Sequence, residues 1–467
     1  MVSDSSLRVA IIGAGYVGLS TAVALGLAGH KVSVLERNQQ KRELLQSGIA
    51  PFQEPMLEEC LAFLNNNLEF PTNPVPVLAE ADIVIIAVGT PPTPTGNADL
   101  TQVYAAAFEI AEAVGAALAL IVVKSTVPVG TCAALETYLQ QLAPRGSFSV
   151  ASNPEFLSQG KAIRDAVFPD RIVIGTNDTR AKMRLEALYT PLAETLYRMP
   201  VSLELYRPKT KIPIIWTSLE SAELAKYAAN AFLAMKISFA NEIANVCDTV
   251  GANIDQVMNV IGHDQRIGNS FLRAGLGYGG SCFPKDTRAL SQLSVISGYD
   301  FRLLRAVIEV NNTQRLRVLD RLEEILKGLR DKHVAILGLT FKPGTDDLRE
   351  SLGIQIALEL QARGCKVSAH DPVAALRARL ELPTAIFVSD SLEAVLKNTH
   401  AAILVTEWEA YITANWVSLG AVMQQRLMLD GRNALDPQEL QQAGFWYVGI
   451  GRPSASEHQK TADLELE

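Results

Sequence analysis

A glycine-rich turn near the N-terminus constrains the fold of this chain more than any other feature. The apolar run Leu7–Ile12 leads into Gly13, Gly15 and Gly18, and the apolar stretch Leu19–Leu27 continues as a helix. Strand, G-x-G-x-x-G and helix in this order form a dinucleotide-binding fingerprint. The glycines allow a tight turn, a close approach of pyrophosphate and close helix packing, while the helix N-terminus attracts anions. The sequence therefore predicts an N-terminal Rossmann-type domain.

An acidic residue at the end of the second predicted strand indicates which dinucleotide binds. The strand Lys31–Leu35 is followed by Glu36, 18 residues after Gly18. A carboxylate at this position accepts hydrogen bonds from the adenosine ribose, and it repels a 2′-phosphate. We therefore predict NAD as the cofactor. A glycine turn beside an ordinary surface glutamate is the alternative that needs no ligand.

Composition and charge exclude several functional classes. A chain of 467 residues is too long to fold around a single hydrophobic core, so we expect more than one domain. Its net charge of -8 argues against a nucleic-acid partner. The five scattered cysteines include no CxxC pair, and the histidines form no cluster, so we predict no metal site and a reducing compartment. The longest apolar run, Ala116–Val123, is too short to cross a bilayer, and no signal-peptide pattern is present. We expect a cytoplasmic protein without a membrane partner.

Changes in the hydrophobic pattern predict an α/β fold in which two Rossmann-like, doubly wound domains are joined by a central helical domain. The predicted segments are an NAD-binding domain at 1–210, a central helical domain at 211–320, a second Rossmann-like domain at 321–455 and a disordered tail at 456–467. The second Rossmann-like domain has no G-x-G-x-x-G turn. We therefore expect it to bind a nucleotide-like ligand other than the dinucleotide.

Polar residues follow several buried strands of the first predicted domain. Thr90, Thr126 and Glu155 each come shortly after an apolar or strand-like run. Ligands of open parallel sheets bind beyond the carboxyl ends of the strands, so these residues are site candidates. Lys226 and Asn230 are four residues apart in a long helical pattern and share one face. That face is predicted to line a site, with a solvated helix stripe as the alternative.

A second glycine turn, Gly279–Asp286, contains Cys282 followed by Lys285. A nearby cation favours the thiolate, which is the nucleophilic form of cysteine. Taken alone, the turn favours a buried structural cysteine beside a solvated Lys-Asp pair. With NAD, however, a thiol can trap an aldehyde as a thiohemiacetal, whose oxidation gives a thioester that water hydrolyses. This chemistry converts a primary alcohol to a carboxylate and consumes two NAD.

Sequence blocks in order along the chain resemble the UDP-glucose/GDP-mannose dehydrogenase family. They cover about residues 8–452 and read GAGYVG, VGTPP, KSTVPVG, NPEFL, ELAKYAANAFLAMKISFANE, DQRIGNSFL, GYGGSCFPKD, GLTFKPGTDDLRES and LDGRN. The resemblance implies an NAD-dependent enzyme that oxidises UDP-glucose twice at C6, giving UDP-glucuronate without releasing the aldehyde. It further implies a homodimer or larger homo-oligomer in which Arg266 reaches into the neighbouring subunit's substrate site.

The resemblance also implies roles for individual residues. Cys282 is the expected nucleophile, Lys226 stabilises oxyanion charge, and the residues that position or activate water are Asp286, Asn230, Glu155 and Thr126. The expected NAD contacts are Gly13, Gly15, Tyr16, Val17, Gly18, Glu36, Arg37, Thr90, Thr126, Glu155, Lys285 and Arg349, and no role is assigned to Lys41. The expected substrate contacts are Glu155, Phe156, Leu157, Lys226, Asn230, Arg266, Phe271, Leu272, Arg273, Gly275, Gly279, Phe341, Lys342 and Arg432.

The sequence departs from the family pattern at three places. Glu36 stands where many relatives have Asp, Gln159 stands where an acid or arginine is common, and the stretch at 206–216 is longer than usual. Rival interpretations are a GDP-mannose or UDP-N-acetylmannosamine dehydrogenase, a single-step hydroxyacid dehydrogenase, and a non-catalytic sensor of NAD and UDP-sugar. The last two do not require the combination of Cys282, Lys226 and Asp286.

Overall fold

The computed structural model describes residues 6–64, 67–114 and 118–453, and the predicted tail at 456–467 lies outside them. The chain divides into two compact units, with the boundary between Ala229 and Asn230. Each unit is built around one β-sheet. Within the described residues, no helix is long and apolar enough to cross a membrane.

The first unit contains a sheet with the strand order β3-β2-β1-β4-β5-β6-β7-β8. Its strands are β1 (Arg8–Ile12), β2 (Lys31–Leu35), β3 (Leu68–Glu69), β4 (Ile83–Ile86), β5 (Leu118–Val123), β6 (Ser147–Ser152), β7 (Ile172–Gly175) and β8 (Ile214–Thr217). Its helices are α1 (Tyr16–Leu27), α2 (Gln39–Gln46), α3 (Leu57–Phe63), α4 (Pro74–Glu80), α5 (Thr101–Val114), α6 (Thr131–Leu142), α7 (Ala162–Val167), α8 (Thr179–Glu194) and α9 (Val201–Glu204). Neighbouring strands pair in parallel except β6 and β7, which are antiparallel.

Both faces of this sheet are buried by helices. In β1, Val9 and Ile11 pack into one hydrophobic cluster, whereas Ala10 and Ile12 pack into a second. Successive side chains of a strand point to opposite faces, so each face has its own core. A parallel sheet covered on both faces needs uninterrupted apolar strands, which explains the run Ile83–Ile86 with all four residues buried.

The apolar pattern of the sequence does not predict the last strand of this sheet, β8. Strand β8 pairs in parallel with β7, with Ile172 opposite Ile214. The longer stretch at 206–216 therefore leads into an additional strand. Its lysines and prolines concealed the strand, because a short, partly exposed strand has no continuous apolar run.

A 32-residue helix, α10 (Leu219–Val250), begins in the first unit and ends in the second. The next helices are α11 (Ile254–Gly262), α12 (Phe283–Ile296) and α13 (Arg302–Leu326). Residues of α10, α11 and α13 pack on one face of the second unit's sheet through Ala244, Met258 and Leu322. The predicted central helical segment is therefore present, and in the second unit it shares a core with the C-terminal sheet.

The second sheet has the strand order β11-β10-β9-β12-β13-β14. Its strands are β9 (His333–Leu337), β10 (Lys366–His370), β11 (Phe387–Ser389), β12 (Ala401–Leu404), β13 (Leu427–Asp430) and β14 (Trp446–Gly449). Its helices are α14 (Leu352–Ala362), α15 (Ala375–Glu381), α16 (Leu392–Leu396), α17 (Glu409–Ile412), α18 (Trp416–Ala421) and α19 (Pro437–Gln442). This order corresponds to β3-β2-β1-β4-β5-β6 of the first sheet, and it is the Rossmann order 3-2-1-4-5-6. The predicted doubly wound fold of both domains is confirmed.

Each unit has a close contact between two glycines, one directly after the first strand of its sheet and one in the helix that follows that strand. Gly13 has a φ of +103°, and a Cβ on Gly18 would lie 1.8 Å from the Gly13 carbonyl oxygen. In the second unit Gly338 has a φ of +100°, and a Cβ on Gly353 would lie 2.3 Å from the Gly338 carbonyl oxygen. The second unit therefore keeps the turn glycine and the packing glycine although it lacks the G-x-G-x-x-G spacing.

We expect Gly18→Ala to reduce the free energy of unfolding by roughly 3 kcal/mol, because its Cβ collides with backbone that cannot move cheaply. Gly15→Ala is the matched control, since its Cβ would meet no atom within 4 Å. Gly15→Ala should reduce the free energy of unfolding by less than about 1 kcal/mol, which is the size of a helix N-cap effect. Urea denaturation of both variants measures the difference. Equal losses of stability would contradict the packing role given to Gly18.

Candidate active site

Three loops meet at the carboxyl edge of the first sheet. Strands β4, β5 and β6 pair in parallel, with Ile86 opposite Val123 and Val123 opposite Ser152. The Thr90 hydroxyl donates to the Thr126 carbonyl oxygen over 2.9 Å. The structure thus brings Thr90 and Thr126 together, at the edge where the sequence predicted a ligand.

A buried ion pair joins two of the predicted catalytic residues. Lys226 Nζ lies 3.1 Å from Glu155 Oε1, and the two side chains are 4% and 7% exposed. The other carboxylate oxygen, Oε2, accepts the N–H of Leu157 over 2.7 Å. Lys226 Nζ also lies 5.4 Å from the centre of the Phe156 ring. Glu155, Phe156, Leu157 and Lys226 therefore form one cluster in the first unit.

A second lysine, to which sequence reasoning gave no role, belongs to the same cluster. Lys124 follows β5 directly, and its Nζ donates to Asn153 Oδ1 over 2.8 Å. Asn153 Nδ2 donates in turn to the Val173 carbonyl oxygen over 2.7 Å. Burial lowers the pKa of Lys124 to about 8; the Glu155 carboxylate opposes this shift and the Lys226 ammonium adds to it. A cation directly after a buried strand was the sequence signal for this residue.

The predicted ribose acceptor, Glu36, lies directly after β2 and is held in place. Its Oε1 accepts the N–H of Asn38 over 2.9 Å, and Lys41 Nζ lies 3.2 Å from its Oε2. Burial opposes ionisation of Glu36, but the Asn38 N–H and the Lys41 ammonium outweigh it, so the pKa of Glu36 is lowered. Lys41 therefore keeps this carboxylate charged. Arg37 is exposed and pairs with Glu109 over 2.6 Å.

The fingerprint turn leaves room for a ligand at Gly15. Gly15 is the N-cap residue of α1, and a Cβ there would meet no atom within 4 Å. Tyr16 and Val17 begin α1, and the Tyr16 ring lies 4.0 Å from the Phe52 ring between their centres. A glycine that neither packing nor dihedral requires, at a helix N-terminus, fits the close approach of a pyrophosphate.

In the second unit, Cys282 is the N-cap residue of α12 and is half-buried. Asp286, in the first turn of this helix, is 1% exposed. Its carboxylate accepts from Asn230 Nδ2 over 2.6 Å and pairs with Lys285 Nζ at 2.5 Å. The structure therefore brings together Asn230, Lys285 and Asp286 beside the helix end that carries the thiol. The helix N-terminus adds partial positive charge there.

The other cysteines are buried, which separates them from Cys282. Burial raises the pKa of Cys60 to about 12 and that of Cys365 to about 11. It also raises the pKa of Cys132 and of Cys247. Among the described residues, no group of His, Cys, Asp or Glu could hold a metal ion.

Backbone with a positive φ lies at or beside three predicted site residues of the second unit, which are the expected substrate contacts Phe271 and Arg432 and the expected NAD contact Arg349. Phe271 has a φ of +64°, Glu350 follows Arg349 with a φ of +50°, and Asn433 follows Arg432 with a φ of +52°. Such dihedrals are unfavourable for residues other than glycine and concentrate at ligand sites.

The remaining predicted residues of this unit differ in their surroundings. Lys342 Nζ lies 5.5 Å from the centre of the Phe341 ring, and a Cβ on Gly280 would lie 2.6 Å from that ring. Arg349 pairs with Asp347 over 2.6 Å, and Arg432 Nη1 donates to the Gly277 carbonyl oxygen over 3.4 Å.

Two glycines predicted to contact the substrate lie close to neighbouring backbone. A Cβ on Gly279 would lie 2.4 Å from the Glu350 carbonyl oxygen, and a Cβ on Gly275 would lie 2.8 Å from the Gly431 carbonyl oxygen. Leu272 is buried in the core, Arg273 is exposed, and the side chain of Arg266 is 89% exposed and pairs with Asp264.

The lowered pKa of Lys124 predicts a change of stability with pH. An unfolded chain has a lysine pKa of about 10.4, so between pH 8 and 10 its Lys124 binds more protons than the folded chain does. Stability contributed at this residue therefore rises with pH over this range. Relative to Lys124→Met, the wild type should gain on the order of 2 kcal/mol of unfolding free energy from pH 7 to 10.

Lys124→Arg is the matched control, because arginine remains charged over the whole range. The wild type should gain stability relative to this variant as well. Denaturant unfolding at pH 7, 8.5 and 10 measures both differences. Differences that do not change with pH would contradict the lowered pKa.

Comparison with known proteins gives relatives over nearly the whole chain. A UDP-glucose 6-dehydrogenase of Bacillus subtilis is 42% identical over 449 residues, covering 96% of this chain and 98% of the relative. A UDP-glucose dehydrogenase structure from Pyrobaculum islandicum matches with a TM-score of 0.87 at 37% identity, covering 97% of this chain and 99% of that one. A UDP-D-ManNAc dehydrogenase structure from Pyrococcus horikoshii matches with a TM-score of 0.81 at 26% identity, covering 96% and 100%.

Three family models match in succession. They are described as the NAD binding domain, the central domain and the UDP binding domain of the UDP-glucose/GDP-mannose dehydrogenase family, at residues 7–193, 220–313 and 335–437. The first match confirms the prediction of NAD as cofactor, and together with the relatives it confirms an NAD-dependent oxidoreductase. The chain belongs to the UDP-glucose/GDP-mannose dehydrogenase family.

Proposed function

We propose that this enzyme oxidises UDP-glucose at C6 to UDP-glucuronate in two successive oxidations, through a thiohemiacetal and a thioester on Cys282. The observation that carries the proposal is the position of the thiol. Cys282 is half-buried at the N-terminus of α12, one helical turn before the carboxylate of Asp286, whereas the other cysteines are buried. A thiol needed only for packing has no reason to lie at the polar end of a helix.

Bound NAD would supply the hydride acceptor for each oxidation, and the residues of the first unit fit its binding. Gly15 leaves open space at the N-terminus of α1, which suits a pyrophosphate, and the charged Glu36 is assigned to accept from the ribose hydroxyls. Thr90 and Thr126, linked by a hydrogen bond at the carboxyl edge of the sheet, are candidates to contact the cofactor near its reactive end. Arg37 is exposed and pairs with Glu109, so we assign it a contact at the edge of the NAD site.

In the first oxidation the C6 alcohol loses a hydride and a proton and becomes an aldehyde. We assign to the Lys226 ammonium the stabilisation of negative charge on the C6 oxygen as the hydride leaves. Glu155 fixes the direction of this ammonium, because their ion pair is almost fully buried. The Asp286 carboxylate, held by Asn230 and Lys285, can receive the proton directly or through a water.

In the second oxidation the Cys282 thiolate adds to the aldehyde carbon, and the oxygen takes a proton to give the thiohemiacetal. Loss of a second hydride and of the hydroxyl proton gives the thioester. Water then attacks the thioester carbon, the C–S bond breaks, and carboxylate and thiol are formed. We assign water activation to Asp286 and Glu155, since both are buried carboxylates that bind their neighbours through charged hydrogen bonds.

The second unit is proposed to hold the UDP part of the substrate. The family model matching residues 335–437 is described as a UDP binding domain. Lys342 and Arg432 supply cations for phosphate, and Phe271 and Phe341 supply aromatic surface for the ring systems. Strained backbone at Phe271 and beside Arg432 supports a ligand in this place.

The main rival is a related nucleotide-sugar dehydrogenase acting on GDP-mannose or UDP-N-acetylmannosamine. The relative named for UDP-glucose is 42% identical, whereas the UDP-D-ManNAc dehydrogenase structure is 26% identical. A panel of UDP-glucose, UDP-N-acetylmannosamine and GDP-mannose, followed by NADH absorbance, separates the two. A kcat/KM at least about tenfold higher for UDP-glucose supports the proposal. A preference for either rival substrate would overturn it.

We also propose a homo-oligomer built on α10. Phe232, Phe239 and Val246 recur every seven residues on this helix and are 59%, 49% and 52% exposed. An exposed apolar stripe at heptad spacing is typical of a helix that packs on another helix. Sedimentation velocity of Phe239→Glu tests this, because a charge in such an interface should lower the assembly state. The crossing of Arg266 into a neighbouring site remains part of this proposal.

We expect Cys282→Ser to oxidise the alcohol at least once but to stop before the carboxylate. The neutral serine hydroxyl is a much poorer nucleophile than a thiolate, and an alkoxide is a poorer leaving group, so the second half of the reaction should slow by roughly 1,000-fold or more. Product analysis by mass spectrometry and NADH counting in a single turnover measure this.

Cys365→Ser is the control, because that thiol donates to the Leu329 carbonyl oxygen and a hydroxyl can do the same. It should retain two-step turnover. Near-normal UDP-glucuronate formation by Cys282→Ser would show that the thiol is not the nucleophile.

A further inference from the structure

Asn311, on α13, forms two hydrogen bonds with the backbone of Tyr278, which lies four residues before Cys282. Its Oδ1 accepts the Tyr278 N–H over 2.7 Å, and its Nδ2 donates to the Tyr278 carbonyl oxygen over 3.1 Å. Asn311 is 8% exposed, so water cannot easily replace either bond. A Cβ on Gly277 would lie 2.6 Å from Asn311 Oδ1, which restricts the preceding position to glycine.

The side chain of Tyr278 carries this restraint past the cysteine. Its ring packs edge-on against the Phe283 ring, with 5.9 Å between their centres. Phe283 is the first residue of α12 and follows Cys282 directly. Tyr278 also packs with Ala234 and Val307 in a small cluster against which Phe283 lies. The turn that carries the thiol is therefore fixed on both sides through Tyr278.

We propose that Asn311 is a positioning residue that holds Cys282 where it can attack the aldehyde. The inference rests on the proposed function in that Cys282 is taken as the nucleophile. It assigns to α13 a part in the reaction without contact to substrate or cofactor. The chemistry asks for an amide, because one side chain must accept from an N–H and donate to a C=O of the same residue.

Asn311→Asp is the most informative change, since it keeps the shape and the acceptor but removes the donor. A carboxylate oxygen would then face the Tyr278 carbonyl oxygen, and the turn should loosen. Displacement of a reacting group by about 1 Å can cost on the order of 100-fold in rate. We therefore expect the second oxidation to slow by roughly 10- to 100-fold, while the first oxidation and the KM for UDP-glucose change less than about threefold.

Ser238→Ala is the matched control. Ser238 is buried on α10 and donates to the Val307 carbonyl oxygen of α13 over 3.0 Å, so the variant loses a buried hydrogen bond to the helix that carries Asn311. It should lose stability without a change in the ratio of the two oxidation rates. An aldehyde trap in the assay should capture intermediate from Asn311→Asp and none from Ser238→Ala.

Alkylation of Cys282 by iodoacetamide, followed by peptide mass spectrometry, reports on the turn without reference to activity. The other cysteines are buried, so iodoacetamide should react mainly with Cys282. We expect alkylation of Cys282 to quicken severalfold in Asn311→Asp, because a loosened turn exposes a half-buried thiol. If that variant does not fold, Asn311→Gln, which shifts the amide by one methylene, decides by the same measurements.

The outcomes separate the two proposals. Unchanged alkylation and an unchanged ratio of oxidation rates in the Asn311 variant would overturn its positioning role, whatever Cys282→Ser does. Full two-step turnover by Cys282→Ser would overturn the proposed function, and the alkylation rates would still decide whether Asn311 holds the turn.

Discussion

A stripe of buried polar side chains along α10 is the constraint on which the candidate site depends. Glu223, Lys226, Asn230, Ser238 and Asn241 recur at helical spacing, and each is at most 6% exposed. A buried polar group must find a partner, and these bind a helix N-terminus, Glu155, Asp286, the Val307 carbonyl oxygen and the Gly275 N–H in turn. The helix thereby holds Glu155 within the first unit and Asp286 within the second unit.

The two sheets place their ligand-binding edges by the same physical means. In each unit a glycine with positive φ follows the first strand of the sheet, and a second glycine lets the helix after that strand contact the turn. Gly15 of the first unit leaves open space at a helix N-terminus, which suits a pyrophosphate. The corresponding helix of the second unit, α14, has Ser351 and not a glycine at its N-cap. One fold thus supports a dinucleotide site in one unit and, in the proposal, a UDP-sugar site in the other.

Much of this could be predicted from the sequence. Apolar runs and the G-x-G-x-x-G turn predicted the fold class. The positions of Thr90, Thr126 and Glu155 after buried strands predicted them as candidate site residues. Strand β8 escaped because a short, half-exposed strand lacks a periodic signal. The roles of Lys124 and Asn311 could not be predicted because their partners are distant in sequence or belong to the backbone. Lys41 is only five residues from Glu36, but the sequence does not show that the two side chains meet. A burial-dependent pKa, such as that of Lys124, also needs the three-dimensional surroundings.

The central claim is that one enzyme carries an alcohol to a carboxylate through one thiol. Asn230, Lys285 and Asp286 converge at the helix end that bears Cys282, which supports a site able to perform both oxidations. The most direct test is the amount of NADH released when limiting UDP-glucose is consumed with excess NAD. We expect two NADH per UDP-glucose and UDP-glucuronate as the product. One NADH with accumulation of the free aldehyde would contradict it.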